Sequence, residues 1–442
     1  MAGWYSVPLH PALFMLLRSC VVAQRTSLGG SKKTMDILTV AANAVLSFVV
    51  LYPLGLCWMG MAGAWLFRFK WESPGEEPPS LQRYPRVSFL VCCDASPEAV
   101  ERTLMQLEAQ RYPNLEILAL HDATAPAMGP MLDRLLAECP RLRTVYAEGE
   151  TQRAVFLRTG AMLAQGEFLV CVEAGALVDA EALQALLGHF LGAGRVGAVV
   201  GQVMVVQPER FLEQMAAAEY SLRAHTLPRA AAIYGKQVVL PDGLVAYRKS
   251  ALHQVGYWNL GASTPELELL WNLQAARWGV RFEPKAQYWI DPPRGIDSWL
   301  AARGAWCRQL REAMRVLRPA LCTWRNRRLW LFRARQWFDS AWCIAVWAVL
   351  LYLLASPWLT VDVGVHAAWP IAAGVAVVTT SLTYALLVEQ LAIVPRPSER
   401  APLPAVLLAP SLYWFLNFAT PGGRRRRGAA QPGWEQPSVS AR

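Results

Sequence analysis

Val87-Ser-Phe-Leu-Val-Cys-Cys93, closed by Arg86 on one side and Asp94 on the other, is the stretch that decides the fold. It is apolar except at Ser88 and too short for a helix, so it reads as a strand buried on both faces. Working outward, Pro97 to Gln110 reads as a helix, Leu115 to His121 as a strand and Met128 to Ala137 as a helix. Arg143 to Tyr146 is a third strand, Gln152 to Ala164 a helix and Phe168 to Val172 a fourth strand. Ala180 to Leu191 follows as a helix capped by Asp179. Strands alternating with helices over short connections predict an α/β domain with a parallel sheet covered on both faces. Ligands of such sheets bind at the carboxyl ends of the strands, which directs attention to the residues after Cys93, Leu120 and Val172.

The flanks are of another kind. The 442 residues are 54% hydrophobic and carry a net charge of +10, with a mean hydropathy of +0.22. This is too apolar for an ordinary soluble enzyme. Ile37 to Phe67 holds no charged side chain and exceeds the ~20 residues that cross a bilayer. Lys32-Lys33, Arg68, Lys70, Arg325 to Arg335 and Arg424 to Arg427 lie beside apolar segments. That placement points to anionic lipid on the cytoplasmic side and away from nucleic acid. The nine Cys have no CxxC spacing and read as reduced core thiols.

The expected organisation has seven parts. Residues 1–34 are an N-terminal segment without an assigned structure, either signal-like or preceding a start at Met35. Residues 35–68 form a transmembrane helix, 69–85 a linker and 86–293 the cytoplasmic α/β domain. Residues 294–335 form basic amphipathic interface helices. Residues 336–420 form transmembrane or re-entrant helices, with spans over Trp337 to Leu359 and Trp369 to Val388, and 421–442 a basic disordered tail.

Several segments, in order, carry a family signature: Ala109-Gln110-Arg111-Tyr112-Pro113-Asn114-Leu115, His121-Asp122, Gly166-Glu167-Phe168, and Arg248-Lys249-Ser250-Ala251-Leu252 with Gly256-Tyr257-Trp258. Together they resemble the family 2 glycosyltransferases. Glu219-Tyr220, Ile233-Tyr234-Gly235 and Leu269-Leu270-Trp271-Asn272 resemble the exopolysaccharide branch that makes β-1,6-linked N-acetylglucosamine polymers. The resemblance covers Phe48 to Thr420. It implies the A-type glycosyltransferase fold, a Rossmann-like mixed sheet flanked by transmembrane helices in a bacterial plasma membrane. It also implies UDP-N-acetylglucosamine as donor, a polysaccharide acceptor, Mg²⁺ and a small two-span membrane partner.

Carried over position by position, the resemblance meets substitutions. The Asn-Glu expected after the first strand is Asp94-Ala95, Asp122 keeps the acid after the second, and Arg153 stands for a Lys at the diphosphate. The Asp-x-Asp that holds the metal is Glu173-Ala174-Gly175, with one carboxylate where two are needed, so Mg²⁺ is not expected here. The base position reads Thr264-Pro265-Glu266, a carboxylate one methylene longer, and Glu268 reads as helix surface. Gln-x-x-Arg-Trp on the acceptor side is Ala302-Arg303-Gly304-Ala305-Trp306. Each retained residue also has a plain structural reading: a cap or loop for Asp122, a surface guanidinium for Arg153, an ion pair for Glu173, a membrane-surface ring for Trp306. Two functions follow. One is a catalytically impaired homologue serving as scaffold or regulatory subunit, alongside a motif-complete synthase. The alternative is a processive transferase with an atypical site built on Glu266, Arg153 and Arg303.

Overall fold

The apolar run forms β1 (Val87–Cys92), and every one of its side chains is buried. The structure is a computed structural model describing residues 32–72, 81–122, 128–147, 152–192, 194–206, 210–234, 243–262, 264–291, 295–316, 323–324, 327, 330–355, 368–390 and 402–419. The segment Val7 to Ala23, most of the Pro-rich linker, the Ala123 to Pro126 turn and the basic tail lie outside these residues.

After α1 (Lys32–Trp71) and β1, the chain builds α2 (Pro97–Glu108), β2 (Leu115–Asp122), α3 (Met128–Glu138), β3 (Leu142–Ala147) and α4 (Arg153–Leu163). Then come β4 (Phe168–Glu173), β5 (Leu177–Val178), α5 (Ala182–Gly192) and β6 (Val196–Val205). α6 (Phe211–Ser221) runs through a π-helical turn, Leu222–Thr226, into α7 (Leu227–Tyr234). β7 (Val245–Arg248), α8 (Lys249–Val255), α9 (Pro265–Ala275), β8 (Gly279–Ile290) and α10 (Ile296–Val316) complete the domain. α11 (Trp330–Ala355), α12 (Ala368–Gln390) and α13 (Leu403–Ala419) follow.

The eight strands are ordered β3-β2-β1-β4-β7-β6-β8-β5. β1 pairs in parallel with β2 and β4, and β2 with β3, as the alternation predicts. Beyond these four the sheet is mixed, as the resemblance implies: β7 is antiparallel to both β4 and β6, and β5 to β8. Val245 enters opposite Cys171, near the carboxyl end of β4, so the strand has to run back toward Phe168. Arg248 fixes its far end by donating to the carbonyls of Val196 (3.1 Å) and Phe190 (2.9 Å). Asp179 caps as expected, its carboxylate accepting from the Glu181 N–H at 2.9 Å.

The strand pleat sorts the core into two layers. Val87, Phe89, Val91, Phe168, Val170 and Val172 pack under α2, α3 and α5. Leu90, Cys92, Leu118, Leu120, Leu169 and Cys171 pack under α4, α8 and α9. The same alternation puts Asp122 and Glu173, at the ends of β2 and β4, on this second face. α4 and α9 therefore start on the face that these two carboxylates share.

The chain divides into two units. In the first, Met1–Tyr52 with Trp342–Gly374, the Trp342 indole donates to the Val49 carbonyl at 2.8 Å. In the second, Pro53–Ala341 with Val375–Arg442, the later part of α1 packs on the α/β domain. A Cβ on Gly63 would stand 2.8 Å from the Ala230 Cα, and the Tyr234 hydroxyl donates to the Met59 carbonyl at 3.0 Å. Leu416 of α13 joins Ala216 of α6 and Trp299 of α10 in a buried cluster. Among the described residues, one helix is long and apolar enough to cross a membrane, Val40–Trp71. Trp337–Tyr352, Ala373–Val388 and Leu403–Leu416 are shorter apolar stretches.

His225, in the π-helical turn, is buried with Nε2 beside the Val203 carbonyl. Burial first, and the nearby Arg229 second, push its pKa from 6.5 down to about 3. The folded chain holds the imidazole neutral while the unfolded chain takes up a proton near the ordinary value. Stability is therefore complete above pH 6.5 and falls as pH drops from 6.5 toward 3. A His225→Gln variant should show a shallower acid loss than wild type when unfolding midpoints are followed from pH 8 to pH 4. Parallel acid limbs for the two proteins would remove His225 as the cause.

Candidate functional site

Arg153 opens α4, Asp94 follows β1 and Glu266 lies in the first turn of α9, where Pro265 sets the helix start. The fold brings the three together. Arg153 Nε donates to Glu266 Oε1 at 2.6 Å and Arg153 NH1 to Asp94 Oδ2 at 2.8 Å. Arg153 and Glu266 are largely covered, with side chains 21% and 18% exposed, and Asp94 is half exposed. Burial opposes charge on the guanidinium, but Cys92, Asp94, Glu266 and Glu173 outweigh it and hold the Arg153 pKa well above its ordinary value. Glu173, in register with Cys92 across β1 and β4, thus shares the field of the same cation. Burial pushes the Cys92 thiol up to about 12, so it remains protonated beneath the cluster.

Arg153 is thus shared between two carboxylates in direct contact, Glu266 and Asp94, with Glu173 adding to the same field. Among the described residues no three His, Cys, Asp or Glu side chains form a group that could hold a metal. Two residues beyond Glu173, Gly175 has φ +91°, no side chain to offer, and an N–H that donates to Thr103 Oγ1 at 2.9 Å. The Thr103 hydroxyl lies 3.1 Å from the Ala176 carbonyl, so helix α2 holds the turn in place. The residues present do not fit the two-carboxylate metal seat that the resemblance implies.

The acceptor-side residues are engaged elsewhere. Arg303 is buried on α10, 3.4 Å from Glu219 of α6, which is buried as well. Its Cζ lies 4.6 Å from the Trp306 ring centre and 4.8 Å from that of Tyr413. Arg223 stands over the same indole at 4.9 Å and over Tyr220 at 4.7 Å. The Trp306 ring is thus already in contact with two guanidinium groups. Asp122 ends β2, half-buried, with His121 Nδ1 beside its carbonyl at 3.2 Å.

Glu268 corrects an expectation: it is buried, accepting from Asn259 Nδ2 at 3.0 Å, because α9 turns this flank toward the Trp258 loop. Glu219, Arg223 and Thr103 had no role assigned from sequence. Glu219 left a signal, as the lone acid in Met215-Ala216-Ala217-Ala218-Glu219-Tyr220, since an acid among apolar residues has to find a cation.

Comparison with known proteins follows the same lines. The poly-β-1,6-N-acetyl-D-glucosamine synthase of Staphylococcus aureus (strain COL) is 23% identical over 313 residues, spanning 70% of this chain and 74% of that protein. The synthase of that name from Staphylococcus epidermidis is 22% identical over 405 residues, spanning 89% and 98%. Among solved structures, the mannosyltransferase PcManGT from Pyrobaculum calidifontis, in complex with GDP-Man and Mn²⁺, superposes with a TM-score of 0.56. At 18% identity it covers 86% of this chain and 99% of its own, and it supports the A-type glycosyltransferase fold. The profile of the family described as glycosyl transferase family group 2 matches residues 168–389. With half the chain inside that profile and the sheet to go with it, the protein belongs to the family 2 glycosyltransferases.

Proposed function

We propose that this chain is an exopolysaccharide-synthase homologue of the poly-β-1,6-N-acetylglucosamine type whose site no longer turns over sugar nucleotide. It acts as a scaffold or regulatory subunit beside a motif-complete synthase, as a multi-pass protein of a bacterial plasma membrane with its α/β domain in the cytoplasm. One observation carries the reading: Glu266, at the base position, is spent on Arg153 at 2.6 Å, and Arg153 is tied to Asp94 in turn. A base has to reach the acceptor hydroxyl with a free lone pair, and Oε1 of this carboxylate is held at the guanidinium instead. The single acid at the end of β4 and the occupied Trp306 ring point the same way. The membrane placement is supported by Val40–Trp71 and by the Arg68 and Lys70 that close α1.

One feature favours the alternative, an active transferase with an atypical site. Arg153 and Glu266 stay together at the carboxyl ends of the strands, where a donor would lie. Calorimetry with UDP-N-acetylglucosamine, with and without Mg²⁺, separates the two when combined with a polymer assay on the purified full chain. The scaffold reading expects no metal-dependent binding in the micromolar range and no polymer. Micromolar, metal-dependent affinity accompanied by polymer would establish the transferase instead.

A further inference from the structure

The amino ends of the strands, opposite the candidate site, carry a row of arginines. Arg86 precedes β1, Arg143 lies at the start of β3, and Arg248 closes the antiparallel β7 beside Phe168 at the start of β4. Arg195 leads into β6 and Arg277 toward β8. Across the strand order β3-β2-β1-β4-β7-β6-β8 the row spans six strand spacings, about 29 Å. Two carboxylates here serve four guanidinium groups. Glu116, 3% exposed, lies 3.3 Å from both Arg86 and Arg143, and Glu167 lies 3.1 Å from Arg83 and 4.0 Å from Arg248. The pairing therefore leaves a positive excess whichever partner each acid takes. Arg83, Arg86 and Arg143 also keep 61%, 53% and 47% of their side chains exposed. Glu108 and Glu138 at the same end are matched in number by Arg141 and Arg111.

Arg277 adds a second observation. It is exposed, has no ion pair among the described residues, and sits at φ +65° just past α9, where the Trp278 N–H donates to the Leu273 carbonyl at 2.9 Å. Glycine or asparagine is the usual residue at such a helix end. An arginine held there against its backbone preference points to a use for the cation outside the fold. Arg195 stands beside it, exposed, with Nε donating to the Arg277 carbonyl at 3.0 Å and the guanidinium over the Trp278 ring at 5.2 Å.

We propose that this rim docks an acidic segment of a partner protein in extended form. Guanidinium forks match carboxylates, and Glu116 and Glu167 already show that pairing within the rim. At about 3.3 Å per residue, roughly nine extended residues cover the row. A lipid surface is the wrong occupant, because apolar α13 packs at the other end of the sheet. Its Leu416 meets Ala216 of α6 and Trp299 of α10, the helices that follow the carboxyl ends of β6 and β8. Single-stranded nucleic acid asks for rings open to stacking, whereas Trp278 lies under Arg195 and Tyr84 against Tyr112, ring centres 5.6 Å apart. The inference holds whether or not the candidate site turns over.

Fluorescence anisotropy of the full chain in neutral detergent, with fluorescein-labelled deca-glutamate as probe, tests it. The peptide should bind at micromolar concentration in about 50 mM salt and on the order of tenfold more weakly in about 300 mM. Arg83→Gln combined with Arg195→Gln should weaken binding about fivefold or more. Arg277→Asn, which suits the left-handed backbone, should weaken it about twofold or more at an unchanged unfolding temperature. Replacing Arg424 to Arg427 by Gln should leave binding within about twofold. Three results would overturn the proposal: no binding by wild type, loss confined to the tail variant, or tighter binding of a ten-nucleotide single-stranded DNA than of the peptide.

Discussion

Arg229→Met should destabilise the folded chain by about 3–5 kcal/mol, the cost of removing one partner from a buried ion pair. Arg229 is 2% exposed. Its Nε donates to Glu72 Oε1 at 2.7 Å, its NH2 to Gln202 Oε1 at 2.8 Å and its NH1 to the His225 carbonyl at 3.0 Å. The guanidinium also lies over Phe282, 5.5 Å from the ring centre. Methionine fills much of the same volume but leaves Glu72, 8% exposed, with the Arg68 contact at 3.0 Å as its remaining ion pair among the described residues. The double variant Arg229→Met with Glu72→Leu should recover more than half of the loss, because the stranded carboxylate goes with its partner. Thermal unfolding in detergent would check both variants. A single substitution as mild as an ordinary surface change, within about 0.5 kcal/mol, would contradict the account.

The second large effect is a gain. Replacing Glu173 and Gly175 by Asp, Glu266 by Asp, Ala302 by Gln and Ala305 by Arg should raise transfer from UDP-N-acetylglucosamine by about 10²–10⁴-fold, the range a positioned acid or base contributes. The Asp pair restores two anionic anchors at the end of β4. Gly175 sits at φ +91°, where an Asp costs about 1–3 kcal/mol of backbone strain, a cost the unfolding temperature of the variant would register. The shorter acid at 266 withdraws from Arg153, whose 2.6 Å contact depends on the extra methylene. Ala302 and Ala305 are half-buried on α10, one on either side of Arg303 and Gly304. Product length and radiolabel incorporation measure the gain. A variant that unfolds at the wild-type temperature yet transfers nothing would show that more than ligands has been lost from the frame.

How much of this could be read from residues depends on how local each cause is. β1 through β4 follow from apolar runs bounded by turn residues, and the cap at Asp179 from a short polar side chain ahead of an apolar period. The direction of β7 was hidden because four residues, Val245–Arg248, carry no sign of which neighbours they will pair with. At the site, residue type revealed which ligands are missing, but not that Arg153 would pair across 113 positions with Glu266. Periodicity along one helix likewise could not tell that Glu268 faces Asn259 and that Arg303 faces Glu219. Those partners come from other elements, and tertiary packing alone brings them together.

The length of α1 has a mechanical consequence. The 32-residue stretch from Val40 to Trp71 rises about 48 Å at the usual helical pitch, against about 30 Å of hydrocarbon. Gly63 and Met59, in its later half, are the points held by Ala230 and Tyr234. Were the stretch to span a bilayer as proposed, a change in hydrocarbon thickness would act first on the turns after Pro53 that Ala230 and Tyr234 hold.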